Sequence, residues 1–197
     1  MINFTDRLNE FSISLKDFKV EGKDNNKIKQ TDGLDLAVDF IRNLIIENKN
    51  LFIIGNGGSS GIASHAANDF INMCGLKCQT FHDISILTCM TNDYGYDVTY
   101  QKLLENFANE NDCLIAISSS GNSLNITHAT EKFSTINSKG KIIKISGCST
   151  VTTLRGKGDL NVWIDATSYG VVEIAHQFIL HFFVYNIYHD LKYMNKQ

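Results

Sequence analysis

A short apolar run that ends in a small-residue loop and then enters a helical pattern occurs twice in this chain. The first copy is Leu51-Phe52-Ile53-Ile54-Gly55-Asn56-Gly57-Gly58-Ser59-Ser60, and the second is Leu114-Ile115-Ala116-Ile117-Ser118-Ser119-Ser120-Gly121-Asn122-Ser123. Unbroken apolar runs of this length fit strands buried on both faces, which is the habit of parallel sheets. A glycine- and serine-rich loop leading into a helix presents backbone N–H groups and hydroxyls at the helix N-terminus, where an anion is favoured. The second loop has no lysine, so it is not a nucleotide P-loop. A sugar phosphate suits it better.

Further strands are expected at Lys77–Phe81, Lys141–Ser146 and Leu160–Ile164, with those above at Leu51–Gly55 and Cys113–Ser118. Helical patterns separate them at about 59–73, 84–93, 97–108 and 123–137, and a last helix runs from about 171 to 193. Two N-terminal helices are expected from Leu8, Phe11, Leu15 and Phe18, and from Leu36, Phe40, Ile41, Leu44 and Ile45. Glu21–Lys27 reads as a polar loop between them. Alternating strands and helices imply a parallel sheet covered on both sides, with ligands beyond the carboxyl ends of its strands. No internal boundary is visible, so residues 1–197 are expected to form one domain, with 1–48 packing on the sheet or in an oligomer interface.

With 197 residues, 43% of them hydrophobic, the chain can bury a sizeable core. A net charge of -3 and the lack of a long basic run exclude a broad nucleic-acid-binding face. No stretch approaches the apolar length of a membrane span. Residues Met1 to Asp6 lack the pattern of a signal peptide, so a cytoplasmic location is expected. The five cysteines (Cys74, Cys78, Cys89, Cys113 and Cys148) read as reduced thiols rather than a metal cluster, because they lack paired spacing.

Several polar residues stand where chemistry is feasible. His65 and Asp69 are four apart on one helix face, a spacing that suits metal ligands, an acid–base pair or a surface ion pair. In the last helix Glu173, Gln177 and His181 form one polar stripe on a segment that is otherwise apolar over most of its circumference. These groups either satisfy one another or join His65 and Asp69 around a metal or an enediol. The segment Thr91–Asp97 is turn-like, with Asp97 a candidate N-cap. His82 and Asp83 are loop or site-lining residues, and His128 a surface or packing residue. Arg155 and Lys157 read as solvated charges.

Taken in order, Gly55-Asn56-Gly57-Gly58-Ser59, His65, Asn92-Asp93-Tyr94-Gly95, Ser118-Ser119-Ser120-Gly121-Asn122-Ser123, Glu173 and His181 resemble the phosphoheptose isomerases, which are sugar isomerase (SIS) domain proteins. The resemblance covers nearly the whole chain. It implies an α/β fold, a three-layer αβα sandwich with a five-stranded parallel sheet and N-terminal helices. It also implies a homotetramer with active sites between subunits. Ser118, Ser119, Ser120 and Ser123 would hold the phosphate. Asn56, Gly57, Ser59, Asn92, Asp93 and Glu173 would contact the sugar. A zinc site would use His65, Asp69, Glu173 and His181, with Asp69 and His181 as the catalytic pair.

The chain departs from the family pattern at four positions. Asp69 replaces a glutamate, Glu173 a glutamine, Met73 an arginine and Gly170 an aspartate. The implied reaction is isomerisation of sedoheptulose 7-phosphate to D-glycero-D-manno-heptose 7-phosphate through an enediol, for lipopolysaccharide or capsule heptose synthesis. The competing readings are an isomerase for a different phosphosugar, and a non-catalytic SIS protein that senses a sugar phosphate or binds DnaA.

Overall fold

The computed structural model of the protein describes residues 3–150, 152–156 and 158–194. Lys157, expected as a solvated charge, lies outside them, as do Met1 and Ile2 of the N-terminal segment. The helices are α1 (Phe4–Asp17), α2 (Gln30–Ile46), α3 (Gly58–Cys74), α4 (Ile84–Tyr94), α5 (Thr99–Phe107), α6 (Leu124–Ile136) and α7 (Tyr169–Met194). The strands are β1 (Lys19–Gly22), β2 (Lys27–Ile28), β3 (Asn50–Ile54), β4 (Lys77–Gln79), β5 (Cys113–Ser118), β6 (Lys141–Gly147) and β7 (Leu160–Ile164).

They form one sheet in the order β2-β1-β7-β6-β5-β3-β4. The five expected strands, β3 to β7, are mutually parallel. The side chains of β3, β5 and β6 alternate between two cores. Leu51, Ile53, Ile115, Ile117, Ile143 and Ile145 face Ala63, Ala67 and Phe70 of α3 and Val172, Ile179 and Phe183 of α7. Phe52, Ile54, Leu114, Ala116 and Ile142 face Tyr100 and Leu104 of α5 and Ile126 and Phe133 of α6. Burial on both faces is why these strands read as continuous apolar runs.

The sheet has seven strands rather than five. The segment expected as a polar loop instead folds into the hairpin β1–β2, and β1 adds antiparallel to β7. Asp24 and Asn25 both take positive φ, the backbone a tight hairpin turn demands and one that Asp and Asn tolerate. Val20 is held over Gly33 of α2, where a Cβ would come within 2.4 Å of its Cγ1. Arg155 is not a free solvated charge. Its guanidinium binds the Glu21 carboxylate of β1 at 2.5 and 2.8 Å and lies over the Trp163 ring, and Glu21 is held below its usual pKa by that pair. Asp97 does not cap α5, whose N-cap is Val98; it lies in the 3-10 turn Tyr96–Val98, where its carbonyl meets His128 Nδ1 at 3.0 Å.

α7 passes its His176 into the core. The ring is fully buried, Nε2 donates to the Ser146 carbonyl at 3.2 Å, and Nδ1 has no partner. Burial depresses its pKa from 6.5 to about 4. The unfolded chain therefore takes up a proton that the folded chain refuses, so the associated stability is complete above pH 6.5 and is lost as pH falls toward 4. A shift of this size corresponds to about 3 kcal/mol. Denaturant melts at pH 7.5 and 4.5 should show the wild type losing more stability than His176→Leu. Parallel losses would show that the ring is not held neutral.

Candidate active site

The chain reverses its direction of travel across the sheet between β3 and β5: from β3 it moves outward to β4, then returns to β5 and continues to β6 and β7. Such a switch point opens a crevice at the strands' carboxyl ends. Both small-residue loops emerge there. They enclose a cleft of about 340 Å³ lined by Asn56, Gly57, Gly58, Ser59, Ile117, Ser118, Ser119, Ser120, Ser123, Tyr169 and Glu173. Among the described residues lining it there is no lysine or arginine.

The hydroxyls of the second loop bond within the loop, and Ser119 links it to the first. Ser118 Oγ donates to Ser123 Oγ at 3.2 Å, and Ser59 and Ser119 share a hydrogen bond at 3.4 Å. Ser120 Oγ accepts from Asn122 N at 3.2 Å. Ser123 stands at the N-cap of α6 and makes no side-chain cap bond to the helix, so its first turn keeps free N–H groups for an anion.

The first loop is fixed by residues that sequence reasoning missed. Asn56 and Asn125 exchange two side-chain hydrogen bonds at 2.8 and 2.9 Å, and Tyr96 Oη donates to Asn56 Oδ1 at 2.9 Å. Tyr100 Oη donates to the Gly55 carbonyl at 2.7 Å. The only sequence signal was proximity: Asn125 stands two residues after Ser123, inside the same loop-to-helix junction.

Glu173 reaches across from α7 to the start of α3. A Cβ on Gly58 would lie 2.5 and 2.7 Å from its two carboxylate oxygens. The α3 N-cap, Gly57, has no side chain to satisfy the first N–H groups, and the Glu173 charge sits where the helix dipole favours it.

Farther down the same two helices, His65, Asp69 and His181 come together. Asp69 Oδ2 is 3.3 Å from His65 Nε2 and 3.4 Å from His181 Nδ1. The potential ligand atoms of the three residues lie within 4.8 Å of one another. The amide of Gln177, one turn before His181, meets His181 Nε2 at 3.1 Å. With that amide as donor, Nε2 is the acceptor and Nδ1 carries the proton toward Asp69.

Two imidazoles and a carboxylate are a donor set that suits zinc. Three of the four expected metal ligands are thus assembled. Glu173 is not in that group among the described residues, because its carboxylate is seated on Gly58. Asn92 and Asp93, expected at the sugar, are not brought to the cleft. α4 continues through both to Tyr94 before Gly95 ends it, leaving them exposed and bonded to each other at 3.0 Å. Met73, where the family arginine was expected, packs against the core, and Gly170 is exposed. His82 lies beside the first loop, half-buried, with Nδ1 2.9 Å from Ser64 Oγ, and burial lowers its pKa.

The SIS domain family profile matches residues 23–143. The phosphoheptose isomerase of Campylobacter concisus is 32% identical over 164 residues, covering 75% of this chain and 80% of that one. This chain belongs to the phosphoheptose isomerases of the SIS domain family. The structure of phosphoheptose isomerase from Neisseria gonorrhoeae shares the fold at a TM-score of 0.78 and 21% identity, covering 93% of this chain and 94% of that one. The one from Francisella tularensis gives 0.78 and 20%, over 96% and 100%. As in those phosphoheptose isomerases, the fold is α/β, here with the β1–β2 hairpin completing the sheet. Among the described residues no helix is long and apolar enough to cross a membrane.

Proposed function

We propose that this protein is a phosphosugar aldose–ketose isomerase converting sedoheptulose 7-phosphate to D-glycero-D-manno-heptose 7-phosphate. The observation that carries this reading is the pairing of an anion-suited serine loop with an acid–base group farther along α3 and α7, whose first turns line the same cleft. Gly58 to His65 is seven residues of α3, and Glu173 to His181 eight of α7, so the acid–base group stands roughly 10 Å along both helices from the Gly58–Glu173 side of the cleft. An extended seven-carbon chain with a terminal phosphate spans such a gap.

In this reading the substrate phosphate is held by Ser118, Ser119, Ser120 and Ser123 with the N-terminus of α6. Asn56, Gly57 and Ser59 meet the sugar. Binding the remote phosphate positions the reacting carbons. Asp69 and His181 are the proton-transfer pair. One removes a proton from C1 of the ketose, giving a cis-enediolate, and the other returns a proton to C2, while the O1 hydroxyl proton passes to O2, leaving the aldehyde at C1. Asp69 orients His65 and His181 through its single shared oxygen. Zinc would be held by His65, Asp69 and His181, and when bound it would polarise the carbonyl and hydroxyl oxygens.

The proposal further takes residues 1–197 as one SIS domain that works in the cytoplasm, in heptose synthesis for lipopolysaccharide or capsule, as a homotetramer. The exposed apolar side chains support assembly: Ile84 and Ile86 on α4, Ile174, Phe178 and Tyr185 on α7. In such an assembly Asn92 and Asp93 would serve a neighbouring subunit's cleft.

Turnover in D₂O should place deuterium at C2 of the aldose; product without solvent label would contradict proton return by a second group. Ser120→Ala should raise KM about tenfold with kcat within about twofold, because the phosphate contact is made in ground and transition states alike. An unchanged KM would remove Ser120 from the phosphate site.

A further inference from the structure

The middle of β6 carries a charged residue. Lys144 is 1% exposed, in line with Ile142 on the face that packs against α5 and α6. Its ammonium donates to the carbonyl of Leu154 at 3.0 Å. Its stem is accommodated because residue 158 is glycine; a Cβ there would lie 3.2 Å from Lys144 Cγ. Burying an ammonium is costly, and an apolar side chain of the same length would fill the space without that cost. The charge is therefore to be explained by what it holds.

What it holds is a strap behind the serine loop. Leu154, whose carbonyl accepts from Lys144, donates its own N–H to the Gly121 carbonyl at 3.0 Å. The neighbouring Thr153 N donates to Asn122 Oδ1 at 3.0 Å, and Thr153 Oγ1 donates to the Gly121 carbonyl at 3.3 Å. Thr153 also shares a hydroxyl hydrogen bond with Thr127, in the first turn of α6, at 3.2 Å. Thr152 lies directly against Gly121, where a Cβ would come within 2.6 Å of the threonine side chain. Gly121 needs its positive φ of 67° to make the turn, and Asn122 in turn donates its N–H to Ser120 Oγ. The strap's outer end is tied to the β1–β2 hairpin by the Arg155–Glu21 pair.

We infer that Lys144 is a positioning residue for phosphate binding: through Leu154 it sets the strap 152–154, which holds Gly121 and Asn122, and so aims the serine hydroxyls and the α6 N-terminus into the cleft. This rests on the reading of the serine loop as the phosphate site. Lys144 is not among the residues that line the cleft; it acts on them through the Leu154 carbonyl and the strap. The device supplies rigidity to a loop that has no cation of its own to grip the ligand.

The test is Lys144→Met, which keeps the length of the stem and removes the donor. Inorganic phosphate is titrated by calorimetry into wild type, Lys144→Met and Ser120→Ala, and KM and kcat are measured with sedoheptulose 7-phosphate. Lys144→Met should weaken phosphate binding and raise KM by at least about tenfold, with kcat within about twofold. A folded Lys144→Met with wild-type phosphate affinity and KM overturns the proposal. Should that variant fail to fold, Thr153→Val cuts the strap's hydroxyl bonds without touching the core charge; wild-type phosphate affinity in it overturns the proposal as well. If Ser120→Ala weakens phosphate and Lys144→Met does not, only the role of Lys144 falls. If Ser120→Ala changes nothing, the serine loop is not the phosphate site and both readings fall.

Discussion

His181→Ala is expected to reduce turnover about 10³-fold or more, while inorganic phosphate binds as in wild type. Among the described residues His181 makes polar contacts to Asp69 at 3.4 Å and to Gln177 at 3.1 Å, and neither residue lines the cleft. It lies eight residues beyond Glu173 on α7, so its removal leaves the serine loop and the α6 N-terminus intact. It is half-buried, with its ring edge toward His65 at 5.1 Å between centroids, so truncation opens no core cavity. The effect should therefore fall on kcat. Asp69 would then face His65 alone, and the acid–base pair would lose one member. Steady-state kinetics paired with phosphate titration separate these effects. Turnover within tenfold of wild type would take His181 out of the mechanism. Loss of phosphate binding together with turnover would point to a misfolded α7 instead.

Gly55→Ala should be the most damaging single methyl group in the chain's first loop. Gly55 follows β3 directly, and a Cβ there would lie 2.7 Å from the Ser59 carbonyl oxygen and 2.8 Å from its carbonyl carbon. Those are backbone atoms in the first turn of α3, and a side-chain rotation does not relieve the clash. The helix start must move, carrying with it Ser59, which bonds Ser119, and Gly58, on which Glu173 is seated. Overpacking of this kind costs about 1–3 kcal/mol. A displaced α3 N-terminus should also weaken phosphate binding at least about tenfold, since loop placement controls every contact in the cleft. Gly61→Ala on the same helix is the control. Nothing lies within 4 Å of a Cβ there, and an exposed helical glycine replaced by alanine should gain roughly 0.5–1 kcal/mol. Thermal melts of the two variants should move in opposite directions. Equal melts, with phosphate affinity unchanged in Gly55→Ala, would mean that the loop adapts freely.

The central parallel strands β3 and β5 were legible because each is buried on both faces and so reads as an unbroken apolar run; Leu114 to Ile117 is an example. The hairpin β1–β2 was not. Its buried strand segment is Val20-Glu21-Gly22, too short to show alternation and carrying a charge whose partner, Arg155, is 134 residues away. The clue that existed was local: Asp24 and Asn25, two residues suited to positive φ, side by side.

Within the site, the serine loop and the stripe Glu173, Gln177, His181 followed from spacing, because a helix fixes which residues share a face. Where the Glu173 carboxylate turns did not follow. It is set by the bare Gly58 on another helix, and no periodicity in α7 reports that. Tyr96 and Tyr100 were invisible for the same reason: each acts on a loop distant in sequence, and Asn125 showed only by its place beside the serine loop. Lys144 was hidden inside an apolar strand, where its neighbours Ile142, Ile143 and Ile145 gave no sign of a charge with work behind the loop.

The measurement that bears most directly on the account is incubation of the zinc-supplemented protein with sedoheptulose 7-phosphate, followed by NMR of the anomeric protons. The account predicts that signals of a heptose 7-phosphate appear and that His181→Ala abolishes them. Absence of product from wild-type protein that still binds phosphate in a Ser120-dependent manner would contradict it, leaving a phosphate-binding SIS domain without this isomerase chemistry.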